Sequence, residues 1–168
     1  TWIDAEDGRI LRATDDVRRI SGTLSGEHDA RTVNGEIAVS ALPYARLIGT
    51  PSSYTDIDGN YDVPDETVVT ADLRGQYFRV RNEDGPNATF DVSGGEFTLT
   101  DDDAHIAEID AYVFAHIVRE WGQRVAPEVD QGVMSVHVNI DESCNAWYDG
   151  DLNFLQQSRD CNNTARVS

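Results

Sequence analysis

The chain has 168 residues, of which 31 are acidic and 13 are basic, so its formal net charge is −18. This charge excludes nucleic acid as a partner, because the protein would repel the phosphate backbone, and it equally disfavours anionic membrane surfaces. No apolar run approaches the ~20 residues of a membrane span. Apolar residues make up 39% of the chain, which indicates a globular protein with a real core.

Residues 1–20 are predicted to form a terminal hairpin. Two short strand-like pieces, Trp2-Ile3 and Arg9-Ile10-Leu11, flank Asp7-Gly8. A glycine after aspartate supplies the positive φ that a tight hairpin turn requires.

Residues 21–100 alternate apolar and polar side chains in short runs. Examples of such runs are Ile37/Val39/Ala41, Val69/Ala71/Leu73, Phe78/Val80, Phe90/Val92 and Phe97/Leu99. Turn signals separate them, as at Asp58-Gly59 and Gly94-Gly95. Short strands at a spacing of about 10 residues predict a small antiparallel β-sandwich.

One of these turns, Asp56-Ile57-Asp58-Gly59-Asn60-Tyr61-Asp62, resembles a fragment of a calcium loop. Alternate oxygen-bearing side chains can face one ion, so Asp56 and Asp58 are weak calcium candidates. The bidentate glutamate that closes an EF-hand loop is missing. The alternative is a hairpin turn with a solvated acidic rim.

A long helix is predicted after residue 100. Apolar side chains recur at helical spacing at Ile106, Ile109, Val113, Phe114, Ile117, Val118 and Trp121. Asp103 is expected to cap the helix N-terminus, and Gly122 and Pro127 to end it. His105 and His116 share one helix face but lie about 16 Å apart along the axis, too far to bind one metal ion.

Asp110 lies at the edge of the apolar stripe of this helix. An unpaired carboxylate there would be costly to bury. We expect a hydrogen bond to a neighbouring loop, with calcium ligation as the alternative. Beyond the helix, residues 133–140 predict a strand, and residues 152–155 a second strand near it. The sequence therefore predicts an α+β fold: a small antiparallel β-sandwich, then a long helix and a mixed β segment.

The two cysteines, Cys144 and Cys161, are close in sequence and do not form a C-x-x-C pair. A disulfide closing a loop of about 15 residues would stabilise the fold by about 3 kcal/mol. The alternative is a reactive thiol. A disulfide would favour an oxidising compartment and therefore a secreted protein.

The region after residue 100 resembles the front part of thermolysin-like metalloproteases. The residues that carry the likeness are Asp103-Ala104-His105, Val136-His137 and Cys144-Asn145-Ala146-Trp147-Tyr148-Asp149-Gly150. The cysteine pair, ending in Cys161-Asn162-Asn163-Thr164-Ala165, is more similar to the secreted fungalysin-type relatives. More weakly, residues 1–20 resemble the end of a propeptide, and residues 55–61 the turn of a carboxypeptidase-regulatory-like β-sandwich.

The resemblance implies three segments: a propeptide-like hairpin (1–20), a regulatory-like β-sandwich (21–100) and part of a thermolysin-like N-terminal catalytic lobe (101–168). It also implies that Asn145 and Ala146 hold the backbone of an extended peptide substrate, while Trp147 shapes the cleft wall. Strand addition of this kind uses ordinary sheet-edge hydrogen bonds.

The resemblance implies zinc in the complete enzyme, but the H-E-x-x-H pattern of the family does not occur in these residues. The chain is therefore expected to be the upstream portion of a secreted zinc metalloendopeptidase, inactive alone, with the remaining catalytic portion as its partner and peptides or proteins as substrates. No residue of this chain is assigned a catalytic role. The alternative function is a non-catalytic β-sandwich binding or interaction module.

Overall fold

A computed structural model describes residues 2–3, 10–12, 19–49, 51–64, 68–128, 132–142 and 144–166. Within these residues, one long helix accompanies many short strands that form several sheets. The predicted α+β class is confirmed.

The strands in chain order are β1 (Trp2–Ile3), β2 (Ile10–Arg12), β3 (Arg19–Asp29), β4 (Ile37–Ala41), β5 (Arg46–Ile48), β6 (Ser53–Tyr54), β7 (Asn60–Pro64), β8 (Val69–Asp72), β9 (Phe78–Asn82), β10 (Thr89–Val92), β11 (Gly95–Leu99), β12 (Met134–Ile140), β13 (Ala146–Tyr148) and β14 (Leu152–Leu155). The helix α1 spans Ile106–Val125, and a 3₁₀-helix spans Thr164–Arg166. β1 and β2 pair antiparallel as predicted, while the predicted turn between them lies outside the described residues.

Two sheets are built from the strands of residues 21–100. One is fully antiparallel, in the order β10-β8-β5-β6. In the other, β3 pairs antiparallel with β7 along its first half and with β4 along its second half. β11 lies parallel to β3 on the other side, which differs from the predicted antiparallel arrangement. A parallel pair needs a long crossover connection, and the strands between β3 and β11 supply one.

The last sheet has the order β13-β14-β12-β9. β9, β12 and β14 run parallel to one another, and β13 pairs antiparallel with β14 at the edge. Since β9 precedes residue 100 and β12 follows it, the backbone ladder joins the segments on either side of that residue.

Helix α1 packs against β3, β9, β12 and the 3₁₀-helix. A Cβ atom at Gly26 in β3 would lie 2.7 Å from Cγ2 of Ile109, so a glycine is needed for this close approach. Buried side chains of the helix and sheets, among them Leu24, Val80 and Val136, form one core. Within the described ranges, no helix is both long and apolar enough to cross a membrane.

The helix begins differently from the prediction. The N-cap residue is His105, whose Nδ1 accepts a hydrogen bond from the Ala107 amide at 3.1 Å. Asp101 accepts the Ile106 amide at 2.9 Å, while Asp103 bonds back to Thr100. The predicted cap at Asp103 is therefore wrong, because its carboxylate closes the preceding turn instead.

Candidate functional site

The predicted substrate-binding residues lie at an exposed sheet edge. β13 is the terminal strand of its sheet, and Ala146, Trp147 and Tyr148 are all exposed, with Trp147 at 36% and Tyr148 at 66%. Asn145 is exposed directly before the strand. One side of β13 pairs with β14, and no other strand of the described residues lies on its outer side, where an added strand could pair.

Hydrogen bonding indicates which main-chain groups face outward. The Ala146 amide donates to Oδ1 of Asn145 at 2.9 Å, so it is not used in the ladder to β14. In an antiparallel pair, residues alternate between hydrogen-bonded and non-hydrogen-bonded positions. Ala146 and Tyr148, opposite Phe154 and Leu152, therefore direct their main-chain groups away from β14, and Trp147 opposite Asn153 directs its own toward it.

The Trp147 indole is held by the turn that follows β13. Its Nε1 donates to Oδ2 of Asp149 at 3.2 Å, and the Asn153 amide donates to Oδ1 of Asp149 at 3.0 Å. Gly150 in this turn has φ +115°, a conformation that favours glycine. Hydrogen bonds from the Asp151 main chain, Trp147 and Asn153 hold the pKa of Asp149 below its usual value.

The start of β13 is fixed by the C-terminal segment. Cys144 and Cys161 form a disulfide, which confirms the prediction. Thr164 Oγ1 accepts the Leu155 amide at 2.7 Å and lies 3.0 Å from the Asn145 carbonyl oxygen. The residue before the strand is thus braced on both sides, covalently and by a side chain of the 3₁₀-helix.

His137 lies in the same cross-strand row, since both His137 and Trp147 are in register with Asn153. Its Nδ1 is 2.6 Å from Oε1 of Glu83, and its Nε2 is 3.7 Å from Oδ2 of Asp151. The two carboxylates contact different ring nitrogens, so they do not converge on one point.

A polar pocket that sequence reasoning missed lies where β9, β12 and β14 end. Its volume is about 230 Å³, and its lining includes His105, Asn139, Gln156, Asn163 and Arg166. Carboxyl ends of parallel strands meet at one sheet edge, a common place for ligands. The sequence does place polar residues at the ends of the apolar strands, and this could have indicated a polar site. The parallel pairing of β9, β12 and β14, which brings those residues together, could not be seen from the sequence.

Arg166, which lines this pocket, also contacts two buried carboxyl groups. Asp29 and Asp110 are both fully buried; Arg166 Nε lies 2.8 Å from Asp29 and 3.7 Å from Asp110. The Asp29 amide donates to Asp110 at 2.8 Å, so Asp110 has a hydrogen bond as predicted, but the donor is the last residue of strand β3 and not a loop residue. Burial above all, with the Asp29 charge adding to it, raises the pKa of Asp110 to about 7.

The weak calcium candidates lie in a hydrogen-bonded turn. Asp56 Oδ1 accepts the amides of Asp58 and Asn60, and Oδ2 accepts the Asn60 side chain at 2.9 Å. These bonds match the hairpin-turn alternative, and calcium binding at Asp56 and Asp58 stays a prediction. In the part of the chain that the structure describes, no group of three or more histidine, cysteine, aspartate or glutamate side chains is arranged to hold a metal ion.

Comparison with known proteins adds no family. Neither a family model, nor a curated protein sequence, nor a solved structure matches this chain.

Proposed function

We propose that this chain supplies the substrate-binding edge strand of a secreted zinc metalloendopeptidase. The observation that carries the proposal is the exposed edge position of β13, with the outward main-chain groups of Ala146 and Tyr148 free of β14. An extended peptide would add to the sheet as a further strand and gain main-chain hydrogen bonds there.

Asn145 and Trp147 have distinct proposed roles beside the peptide backbone. The Asn145 amide group offers both a donor and an acceptor, and its Oδ1 already orients the Ala146 amide. Trp147 is exposed, but its indole is hydrogen-bonded to Asp149, so its ring is preorganised as a wall beside the strand. The zinc ligands are assigned to the remaining catalytic portion, the proposed partner, and no reaction step is assigned to residues of this chain.

The Cys144–Cys161 disulfide supports the secreted location, since disulfides persist in oxidising compartments. It also closes the segment that braces Asn145. Reduction would loosen the start of β13, so the proposed binding function fits an oxidising environment better than the cytosol.

The first test is chelator-sensitive peptidase activity. The protein is produced from its gene together with the flanking coding sequence, and hydrolysis of an internally quenched, uncharged peptide is followed by fluorescence. The proposal expects hydrolysis that 1,10-phenanthroline abolishes and added Zn²⁺ restores. Absence of such hydrolysis contradicts the proposal and favours the alternative of a non-catalytic β-sandwich binding module.

The second test measures the contribution of Asn145, directly before the edge strand, to peptidase activity. We expect Asn145→Ala to lower kcat/KM about five- to tenfold, because a hydrogen bond near the substrate backbone is worth about 1–1.5 kcal/mol. Asn60→Ala is the matched control, since it removes a similar local bond, to Asp56, in a distant exposed turn. Equal activities of the two variants would rule out the proposed role of Asn145.

A further inference from the structure

Acidic side chains follow β13 directly. Asp149 and Asp151 lie in the turn from β13 to β14. Asp149 accepts a hydrogen bond from the Trp147 indole, so its carboxylate lies beside the strand. Two further acids, Asp141 and Glu142, are exposed in the segment between β12 and β13.

Among the described residues, no ion pair joins an arginine to these carboxylates, and the cationic side chain nearest to Asp151 is His137, with Nε2 at 3.7 Å. Asp149 accepts neutral donors from Trp147 and Asn153, and Asp151 accepts the Ser135 amide. Across the described ranges, the ion pairs of arginine involve other acids, such as Asp62, Asp72 and Asp29. Because the whole chain carries −18, distant charges reinforce rather than cancel this local field.

Two aromatic rings on β13 favour a positively charged ligand, as the carboxylates do. Trp147 and Tyr148 are adjacent, so their side chains leave opposite faces of the sheet. An extended peptide paired with β13 would place alternate side chains along each of these faces. Tryptophan and tyrosine faces attract arginine and lysine through cation–π contacts, and the nearby carboxylates attract them through charge.

We propose that the β13 edge binds extended peptide segments that carry arginine or lysine, in preference to neutral or acidic segments. This inference rests on the proposed function, because it names the substrate class of the same strand. The carboxylates that follow the strand select the charge, while the main-chain groups of β13 supply sequence-independent affinity.

The experiment compares three eight-residue peptides that are identical except for two positions, filled by arginine, glutamine or glutamate. Their binding to the 168-residue chain is measured by fluorescence anisotropy at 50 mM and 500 mM NaCl. We expect the arginine peptide to bind about tenfold tighter than the glutamine peptide at low salt, with the ratio falling toward about threefold at high salt. Equal binding of the arginine and glutamine peptides would overturn the inference.

A pair of charge-matched variants separates the β13 edge from the general charge of the chain. Asp149→Asn/Asp151→Asn removes two acids beside the strand, whereas Asp58→Asn/Asp91→Asn removes two acids elsewhere and leaves the same net charge. We expect only the first variant to reduce the arginine preference, by about fivefold. A similar reduction in both variants would show that the preference is not located at β13 and would overturn the inference.

The failures of the two proposals are distinguishable. If the gene product hydrolyses the uncharged peptide but the chain shows no arginine preference, the inference fails and the proposed function stands. If the arginine preference maps to Asp149 and Asp151 but no chelator-sensitive hydrolysis occurs, the edge is a cation-selective peptide-binding surface and the peptidase proposal fails.

Discussion

The two halves of α1 carry the same spacing of apolar side chains but have different surroundings. In the first half, Ile109, Tyr112 and Val113 are 2% exposed or less. In the second half, Ile117, Val118 and Trp121 are 51–65% exposed. Helical periodicity therefore identifies the helix correctly, whereas burial depends on which elements pack against each turn.

The first half and the adjoining His116 also bury polar groups that form hydrogen bonds to other parts of the chain or to the helix itself. The Tyr112 hydroxyl donates to the Pro43 carbonyl at 2.7 Å, and Glu108 accepts the Ala88 amide at 3.0 Å. His116 donates from Nδ1 to the Tyr112 carbonyl. Such bonds specify one packing arrangement, because a buried polar group without its partner is costly.

The second half instead borders an open groove of about 470 Å³, lined by Pro43, Ile57, Ile117 and Trp121 among others. Arg119 stacks over the Tyr77 ring at 3.5 Å and lies 5.9 Å from the Tyr44 ring, so it joins this half to residues outside the helix. The comparison teaches that one continuous helix can be a core element at one end and a surface element at the other.

The largest expected effect comes from removing equal side chains from the two halves. Ile109→Ala should cost about 2–5 kcal/mol, since Ile109 is fully buried against Gly26 and leaves a cavity. Ile117→Ala should cost less than about 1 kcal/mol, because half of the side chain is already in water. Urea unfolding measures both values. Similar losses would mean that another surface covers the second half in solution.

The next largest expected effect is a pH dependence of stability that arises from two buried helix residues, Asp110 and His116. The pKa of Asp110 is raised to about 7 by burial, so its contribution to stability is present below pH ~4 and is lost as the pH rises toward 7. Burial lowers the pKa of His116 to about 4, so its contribution is present above pH 6.5 and is lost as the pH falls toward 4. Between pH ~4 and 6.5 the two groups oppose each other.

Asp110→Asn should therefore make stability rise more steeply with pH over this interval, by up to about 1.4 kcal/mol per pH unit relative to the parent chain. The measurement is urea unfolding at pH 4.5, 5.5 and 6.5. Asp84→Asn, at an exposed loop position, is the control and should leave the slope unchanged. An unchanged slope in Asp110→Asn would mean that Asp110 is ionised throughout the interval.

Much of the fold follows from local patterns. The alternation of residues 69–73 and the helical period after Ile106 each mark an element where the structure has one. The disulfide followed from the presence of only two cysteines, and the burial cost of a carboxylate predicted a hydrogen-bond partner for Asp110.

What could not be predicted depends on distant contacts. The parallel pairs β3–β11 and β9–β12 join strands more than 50 residues apart, and no local pattern specifies them. The polar pocket needs Asn139, Gln156 and Arg166 from three segments. Likewise, the β13 edge was recognised by resemblance, while its outward-facing groups required the register with β14.

The smallest expected effect concerns valine-to-alanine substitutions, whose effect on stability should have opposite signs in the two halves of α1. Val118 is 65% exposed, so Val118→Ala loses little packing and gains helix propensity, because a β-branched side chain is restricted in a helix. We expect it to stabilise the chain by a few tenths of a kcal/mol. Val113→Ala, at a position 2% exposed, should destabilise it instead, because the lost packing outweighs propensity. Thermal unfolding of both variants measures the sign, and destabilisation by Val118→Ala would show that its side chain is packed in solution and that the second half of α1 is not a free surface.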